Sequence, residues 1–164
     1  MDFVIDEMQM TDWPQVAAIY SAGIETGLAT FQREVPSWEE WNKDHCQTCR
    51  LVARSDDKIL GWVALTPVSS RCVYAGVAEA SVYISKEYRA KGVGSALLTE
   101  LIRYSEEAGY WSIQAAITKE NIPSRELCKK CGFREIGIRE RLGRMPNGEW
   151  HDVVLMERRS KTVG

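Results

Sequence analysis

The sequence predicts an α/β (α+β) fold: a mixed, twisted sheet of roughly six to seven strands with helices on both faces. Three observations predict it. Residues 77–117 read as strand, long helix, strand, the unit that joins neighbouring parallel strands through a right-handed crossover. On either side, residues 50–65 and 133–158 each read as two strands about a short turn, and such hairpins pair antiparallel. The 164 residues, 45% hydrophobic and 27% charged, show no repeat, linker or low-complexity tract, so one domain over 1–164 with a sizeable core is expected.

The elements follow in order. Phe3–Ile5 is a short apolar strand. Thr11-Asp12-Trp13-Pro14 is a helix start, with a capping residue followed by a first-turn proline. Val16, Ile19 and Tyr20 share a face of that helix, which Gly23 is expected to end. Residues 27–35 form a loop carrying an apolar pair, Leu28 and Phe31. Ser37-Trp38-Glu39-Glu40 is a capping box that opens a second helix, with Trp38 and Trp41 on one side. Arg50–Arg54 and Ile59–Leu65 are strands about a Ser55–Lys58 turn. Val77–Ser85 is the next strand. Val93, Leu97, Leu101, Tyr104 and Ala108 are spaced as the buried face of a helix that stops at Gly109. Tyr110–Ile117 is a strand of apolar and small residues, and Asn121 starts a short helix that ends at Cys131-Gly132. Phe133–Leu142 and His151–Arg158 are late strands around a Met145–Glu149 turn.

Charge and composition narrow the class. A net charge of −2 gives no reason to expect nucleic acid, and no basic run suggests a membrane surface. No apolar stretch approaches the length of a membrane span, and the acidic start, Met-Asp-Phe-Val-Ile-Asp-Glu, lacks the charged and apolar regions of a signal peptide. A cytoplasmic protein is expected. The five cysteines include two C-x-x-C pairs, Cys46/Cys49 and Cys128/Cys131. The stretch between the pairs is far longer than zinc-ribbon spacing, and the fifth, Cys72, fits no disulfide framework, so reduced thiols and no metal are expected.

Arg89-Ala90-Lys91-Gly92-Val93-Gly94-Ser95 lies between the strand at 77–85 and the long helix. Its glycines permit φ > 0 and close backbone approach, its two cations add positive charge, and the helix start presents unpaired N–H groups. These parts suit a phosphate or pyrophosphate. Two phosphate loops are excluded by spacing: a dinucleotide fingerprint needs Gly or Ala where Leu97 stands, and a P-loop needs Gly-Lys-Ser/Thr.

Arg-x-x-Gly-x-Gly in that setting resembles the pyrophosphate loop of the GNAT acyltransferases. A second stretch, Asn121-x-x-Ser124-x-x-Leu127-Cys128-x-Lys130-x-Gly132-Phe133, resembles the family's other coenzyme A helix, in the correct order and at a plausible separation. Further segments are similar to one subfamily, the phosphinothricin and methionine sulfoximine N-acetyltransferases. They are Thr30-Phe31 before Trp38–Trp41, Gly61-Trp62, Arg71-x-x-Tyr74, Glu79-x-Ser81-Val82-Tyr83-Ile84 and Gly148-x-Trp150-x-Asp152, and the likeness covers essentially the whole chain. The resemblance implies the GNAT fold, acetyl-coenzyme A as co-substrate, a small amino-acid-like amine as acceptor and a homodimer.

It also implies roles. Arg89 and Ala90–Ser95, that is Ala90, Lys91, Gly92, Val93, Gly94 and Ser95, take the pyrophosphate. The backbone of Val82, Tyr83 and Ile84 pairs with the pantetheine arm, with an N–H for the thioester oxygen. Asn121 and Lys130 touch the arm and the nucleotide end. Glu79 stands where the family places a general base, and strand alternation puts Glu79, Ser81 and Tyr83 on one face and Val82 and Ile84 on the other. Arg71, whose planar fork matches a carboxylate, belongs to the substrate site with Cys72, Val73 and Tyr74, and Phe31 supplies an apolar wall. Cys128 stands where the subfamily typically has His. It is a candidate acid for the departing thiolate, or a packed helix residue, with His151 the other candidate. Two other readings stay open: acetylation of polyamines or protein N-termini, and a GNAT-fold module that binds coenzyme A without catalysis.

Overall fold

The computed structural model describes residues 2–164. Its strands are β1 (Val4–Glu7), β2 (Leu51–Ser55), β3 (Lys58–Pro67), β4 (Val77–Ile84), β5 (Ser112–Thr118), β6 (Arg134–Arg144) and β7 (Trp150–Arg159). They form one seven-stranded sheet in the order β1-β2-β3-β4-β5-β7-β6. Only β4 and β5 pair parallel; every other neighbouring pair is antiparallel. The helices are α1 (Trp13–Glu25), α2 (Trp38–Asp44), α3 (Val93–Glu107) and α4 (Ile122–Lys130). Among the described residues no helix is long and apolar enough to cross a membrane.

Strand alternation divides the core between the two faces of the sheet. On one face Leu51, Ala53, Val63, Leu65, Ala78, Ile113, Ala115, Ile117, Val154 and Met156 pack with the α3 residues Val93, Leu97, Leu98 and Leu101. On the other, Val52, Trp62 and Ala64 pack with Val16, Ile19 and Tyr20 of α1 and Trp41 of α2. Tyr83 joins this second cluster, its ring stacked on Trp62 with centroids 4.9 Å apart. The capping box of α2 is present, Ser37 Oγ accepting from the Glu40 N–H at 3.2 Å. At the start of α1, Asp12 binds Arg54 of β2 through two hydrogen bonds of 2.8 and 2.9 Å. Burial would raise the Asp12 carboxyl, but that guanidinium and the Gln9 N–H hold it below its usual value.

Four expectations need correction. The first strand lies at Val4–Glu7, displaced from Phe3–Ile5, because its ladder with β2 starts at Val4↔Arg54. Gly23 does not end α1, which continues to Glu25. A Cβ at position 23 would come within 2.7 Å of the Tyr83 ring, so this glycine lets the helix lie on an aromatic side chain. Ala108 is exposed beyond the end of α3, and the buried stripe there is completed by Ile102 and Ser105. Cys131-Gly132 does close α4, and Gly132 adopts φ +93° as a left-handed terminator. The final hairpin is longer than expected, with β6 reaching Arg144 and β7 starting at Trp150.

Candidate active site

The site is made by two parallel strands that part. β4 and β5 pair at Val77↔Ser112, Ala78↔Ile113 and Glu79↔Gln114. Beyond Glu79 the ladder stops, while β4 stays on β3 as far as Ile84 and β5 stays on β7 as far as Thr118. The gap holds a cleft of about 380 Å³ lined by Glu79–Tyr83 and Ala115–Thr118, in the size range of small-molecule sites.

Backbone phase determines what β4 offers to this gap. Ser85 N–H donates to Leu60 O and Val68 N–H to Val77 O, which fixes the odd-numbered β4 residues as those bonded to β3. The N–H and C=O groups of Ala80, Val82 and Ile84 therefore point into the opening as a free strand edge, whereas those of Tyr83, expected to share that role, are turned to β3. A linear ligand with amide groups can complete such an edge.

Glu79 stands at the apex of the opening. Gln114 Nε2 donates to its Oε1 at 2.9 Å, which orients one carboxylate oxygen and leaves the other free. Glu79 shares the odd-numbered face with Ser81 and Tyr83, whereas Val82 and Ile84 pack on the α3 side, as alternation predicted. Burial raises the Tyr83 phenol well above its ordinary value and keeps it protonated.

The cleft passes through the sheet. On the α3/α4 side it is walled by Asn121, Ser124, Leu127 and Cys128. Asn121 caps α4, its Oδ1 accepting from Ser124 N–H, and it also faces the cleft. On the opposite face the walls are Phe31, Arg139 and Leu142. The loop bearing Phe31 is tied down by a hydrogen bond from the Thr118 hydroxyl to Leu28 O. The Phe31 ring lies on Gly143, where a Cβ would sit 2.7 Å from ring carbons.

Residues 89–95 lie at the far end of β4, after a short 3-10 turn at Lys86–Tyr88. Arg89–Gly92 are exposed. Ala90 and Gly92 adopt positive φ, +60° and +84°, and Gly92 caps α3. Among the described residues, no backbone N–H from Arg89 to Ser95 donates to an acceptor outside the helix ladder. Successive unpaired N–H groups at a helix start make an anion site, and Arg89 and Lys91 add charge. Val93 is buried in the core, and a Cβ on Gly94 would come 3.1 Å from Leu127, so Gly94 lets α3 and α4 approach.

Other expected residues lie elsewhere. Lys130 is exposed on the last turn of α4, outside the cleft. Arg71, Val73 and Tyr74 line a second cavity with Trp111, Glu157 and Arg159, and Cys72 shares their 3-10 turn. That cavity touches the Glu79 face through Val77 and Ser112 but does not include Glu79 or Phe31. His151 is held by Glu120 at 2.9 Å and Glu149 at 3.5 Å, which raise its pKa, and it is not part of the cleft lining. Cys128 does face the cleft, but it is 5% exposed and burial pushes its thiol up to about 12. All five cysteines are free thiols. Sequence reasoning missed Gln114, whose only signal is a polar residue within an apolar strand, and Arg139, which reads as one charge among several on an exposed strand.

A parted parallel strand pair, a free strand edge and a helix start with unpaired N–H groups suit a ligand with both amide and phosphate groups. Residues 8–133 match the Acetyltransferase (GNAT) family, and the chain belongs to it. It is 34% identical over 154 residues to the phosphinothricin N-acetyltransferase of Alcaligenes faecalis, covering 90% of this chain and 77% of that one. It is 26% identical to the L-methionine sulfoximine/L-methionine sulfone acetyltransferase of Pseudomonas aeruginosa, over 96% of this chain and 94% of that one. A solved GNAT phosphinothricin acetyltransferase from Sinorhizobium meliloti, in complex with acetyl-coenzyme A, superposes with a TM-score of 0.86 at 26% identity, covering 97% of this chain and 89% of that one. The chain is therefore an acetyl-coenzyme A-dependent acetyltransferase.

Proposed function

We propose that this enzyme acetylates the amino group of a small amino-acid-like acceptor, of the phosphinothricin, methionine sulfoximine or methionine sulfone type, with Glu79 as general base. The observation that carries the reading is the parting of β4 from β5 immediately beyond Glu79, which places a hydrogen-bonded carboxylate beside a free strand edge. The relatives named for such compounds support the acceptor class.

Acetyl-coenzyme A supplies an acetyl thioester when bound. The free N–H and C=O groups of Ala80, Val82 and Ile84 hold its arm and offer a donor to the acetyl oxygen. The N–H groups of 89–95, with Arg89 and Lys91, hold the pyrophosphate, and Asn121 borders the arm. Glu79 takes the proton that the acceptor's ammonium must lose before its nitrogen can bond the acetyl carbon as the carbon–sulfur bond breaks. Cys128 is a poor proton source for the departing thiolate. Burial pushes its pKa up to about 12, so the thiol holds its proton too tightly to give it readily to an ordinary thiolate. A polyamine acceptor would need several carboxylates, and the described cleft lining carries one, Glu79.

A homodimer fits the apolar side chains Ile136 and Ile138 exposed on the outer strand β6, and light scattering tests it. A cytoplasmic setting fits five free thiols. The proposal itself is tested by Glu79→Gln, which should lower kcat/KM about 10²-fold or more at neutral pH. The loss should shrink at high pH, where more of the amine is already neutral. A pH–rate profile identical to that of the unaltered enzyme would remove Glu79 as the base.

A further inference from the structure

We infer that Arg139 reads an acid group on the acceptor, so that the cleft selects zwitterionic amines over simple ones. The inference rests on the acetyl-transfer reading and names a specificity residue within it.

The lining of the cleft contains two charged side chains, Glu79 and Arg139, of opposite sign. Neither forms an ion pair among the described residues. Two unlike charges that share one small cleft without neutralising each other match a ligand that carries both signs. An amino acid is such a ligand. Its ammonium faces Glu79, and its carboxylate, or the acid group of its side chain, accepts the two-pronged hydrogen bonding of a guanidinium.

The strand register places Arg139 on the acceptor side. Arg139 pairs with Val153 and Val153 with Thr118, so these three residues form one row across β6, β7 and β5. That row lies on the sheet face of Glu79 and Gln114, opposite the face covered by α3. The N–H-rich loop opens α3, so Arg139 is separated by the sheet from the site assigned to the pyrophosphate.

A built distortion aims this part of β6 at the cleft. Between Arg139↔Val153 and Gly143↔His151, Glu140, Arg141 and Leu142 face the single residue Asp152. Arg141 takes φ +46°, and its N–H is held by Asp152 Oδ1 at 2.9 Å. The extra length turns Leu142 into the lining beside Arg139, and Gly143 lies flat against Phe31. The bulge therefore sets a cation and two apolar walls, Leu142 and Phe31, around the same space. Arg71, in the adjoining cavity beside Tyr74, is not part of that space.

The test compares two acceptors that differ only in the carboxylate: L-methionine sulfone and 3-(methylsulfonyl)propylamine. Dissociation constants are measured by calorimetry on the full chain saturated with coenzyme A, and acetylated product by mass spectrometry after adding acetyl-coenzyme A. The unaltered protein should bind the amino acid about ten- to a hundredfold more tightly than the amine, the scale of a hydrogen-bonded charge pair. Arg139→Gln should bring the two constants within about threefold of each other, with the affinity for coenzyme A unchanged. Arg139→Lys should retain part of the discrimination, and Arg71→Gln should keep the ratio of the unaltered protein. No preference for the amino acid in the unaltered protein, collapse of the ratio in Arg71→Gln with Arg139→Gln unaffected, or loss of coenzyme A affinity in Arg139→Gln would each overturn the inference. Binding of the amino acid without acetylated product would instead overturn the acetyl-transfer reading and leave the assignment of Arg139 to be judged by its own ratio.

Discussion

Cys128 faces the cleft from α4, and burial decides what its thiol can do there. Embedded among apolar side chains beside Cys131, it holds its proton far above neutral pH. Cys128→Ala and Cys128→Ser should therefore stay within about threefold of the unaltered kcat, since neither removes an effective acid. A large fall in kcat with KM unchanged, in a variant that still unfolds cooperatively, would make the thiol a catalytic acid. The strand face of Glu79 was legible in the sequence, because a carboxylate amid Val-Ala-x-Ala-Ser-Val stands out and alternation fixes the side on which it lies. The hydrogen bond from Gln114 to Glu79 and the place of Arg139 in the cleft lining were not legible. Their relevance comes from cross-strand neighbours 35 residues away in the first case and from a strand distortion in the second.

At the scale of elements, the glycine loop was the most legible feature, because each residue type has a local physical reason. Gly92 at φ +84° is required by backbone conformation, and no atom outside its neighbours would touch a Cβ placed there. Gly92→Asp should abolish measurable coenzyme A binding by calorimetry while leaving the protein folded. The carboxylate would stand beside the N–H groups proposed to receive the pyrophosphate, in addition to about 1 kcal/mol of left-handed strain. Gly92→Ala carries the strain without the charge and should weaken binding less. Equal and unchanged affinities in both variants would take the loop out of the cofactor site. The end of α1 was misread for the opposite reason. Gly23 looks like a terminator in sequence, but its small size serves contact with Tyr83, a residue sixty positions away. The bulge at 140–142 was also hidden, since a strand with two extra residues has the same composition as a straight one.

For the whole molecule, the mixed sheet followed from the hairpins and the one strand–helix–strand unit, and the two helical layers followed from their apolar faces. The parting of β4 and β5 did not. Both segments read as continuous strands, and nothing within either states that their shared ladder ends after Glu79↔Gln114. That gap exposes a backbone edge, opens a passage between the two faces, and leaves a carboxylate at its apex, the arrangement on which the proposed chemistry rests. The most direct measurement is thiol release when the protein is mixed with acetyl-coenzyme A and, in separate reactions, free amino acids or polyamines. The account predicts thiol release that depends on an amino acid, with a matching N-acetyl product and little response to polyamines. Coenzyme A binding without thiol release from any amine, or turnover that favours polyamines, would contradict it.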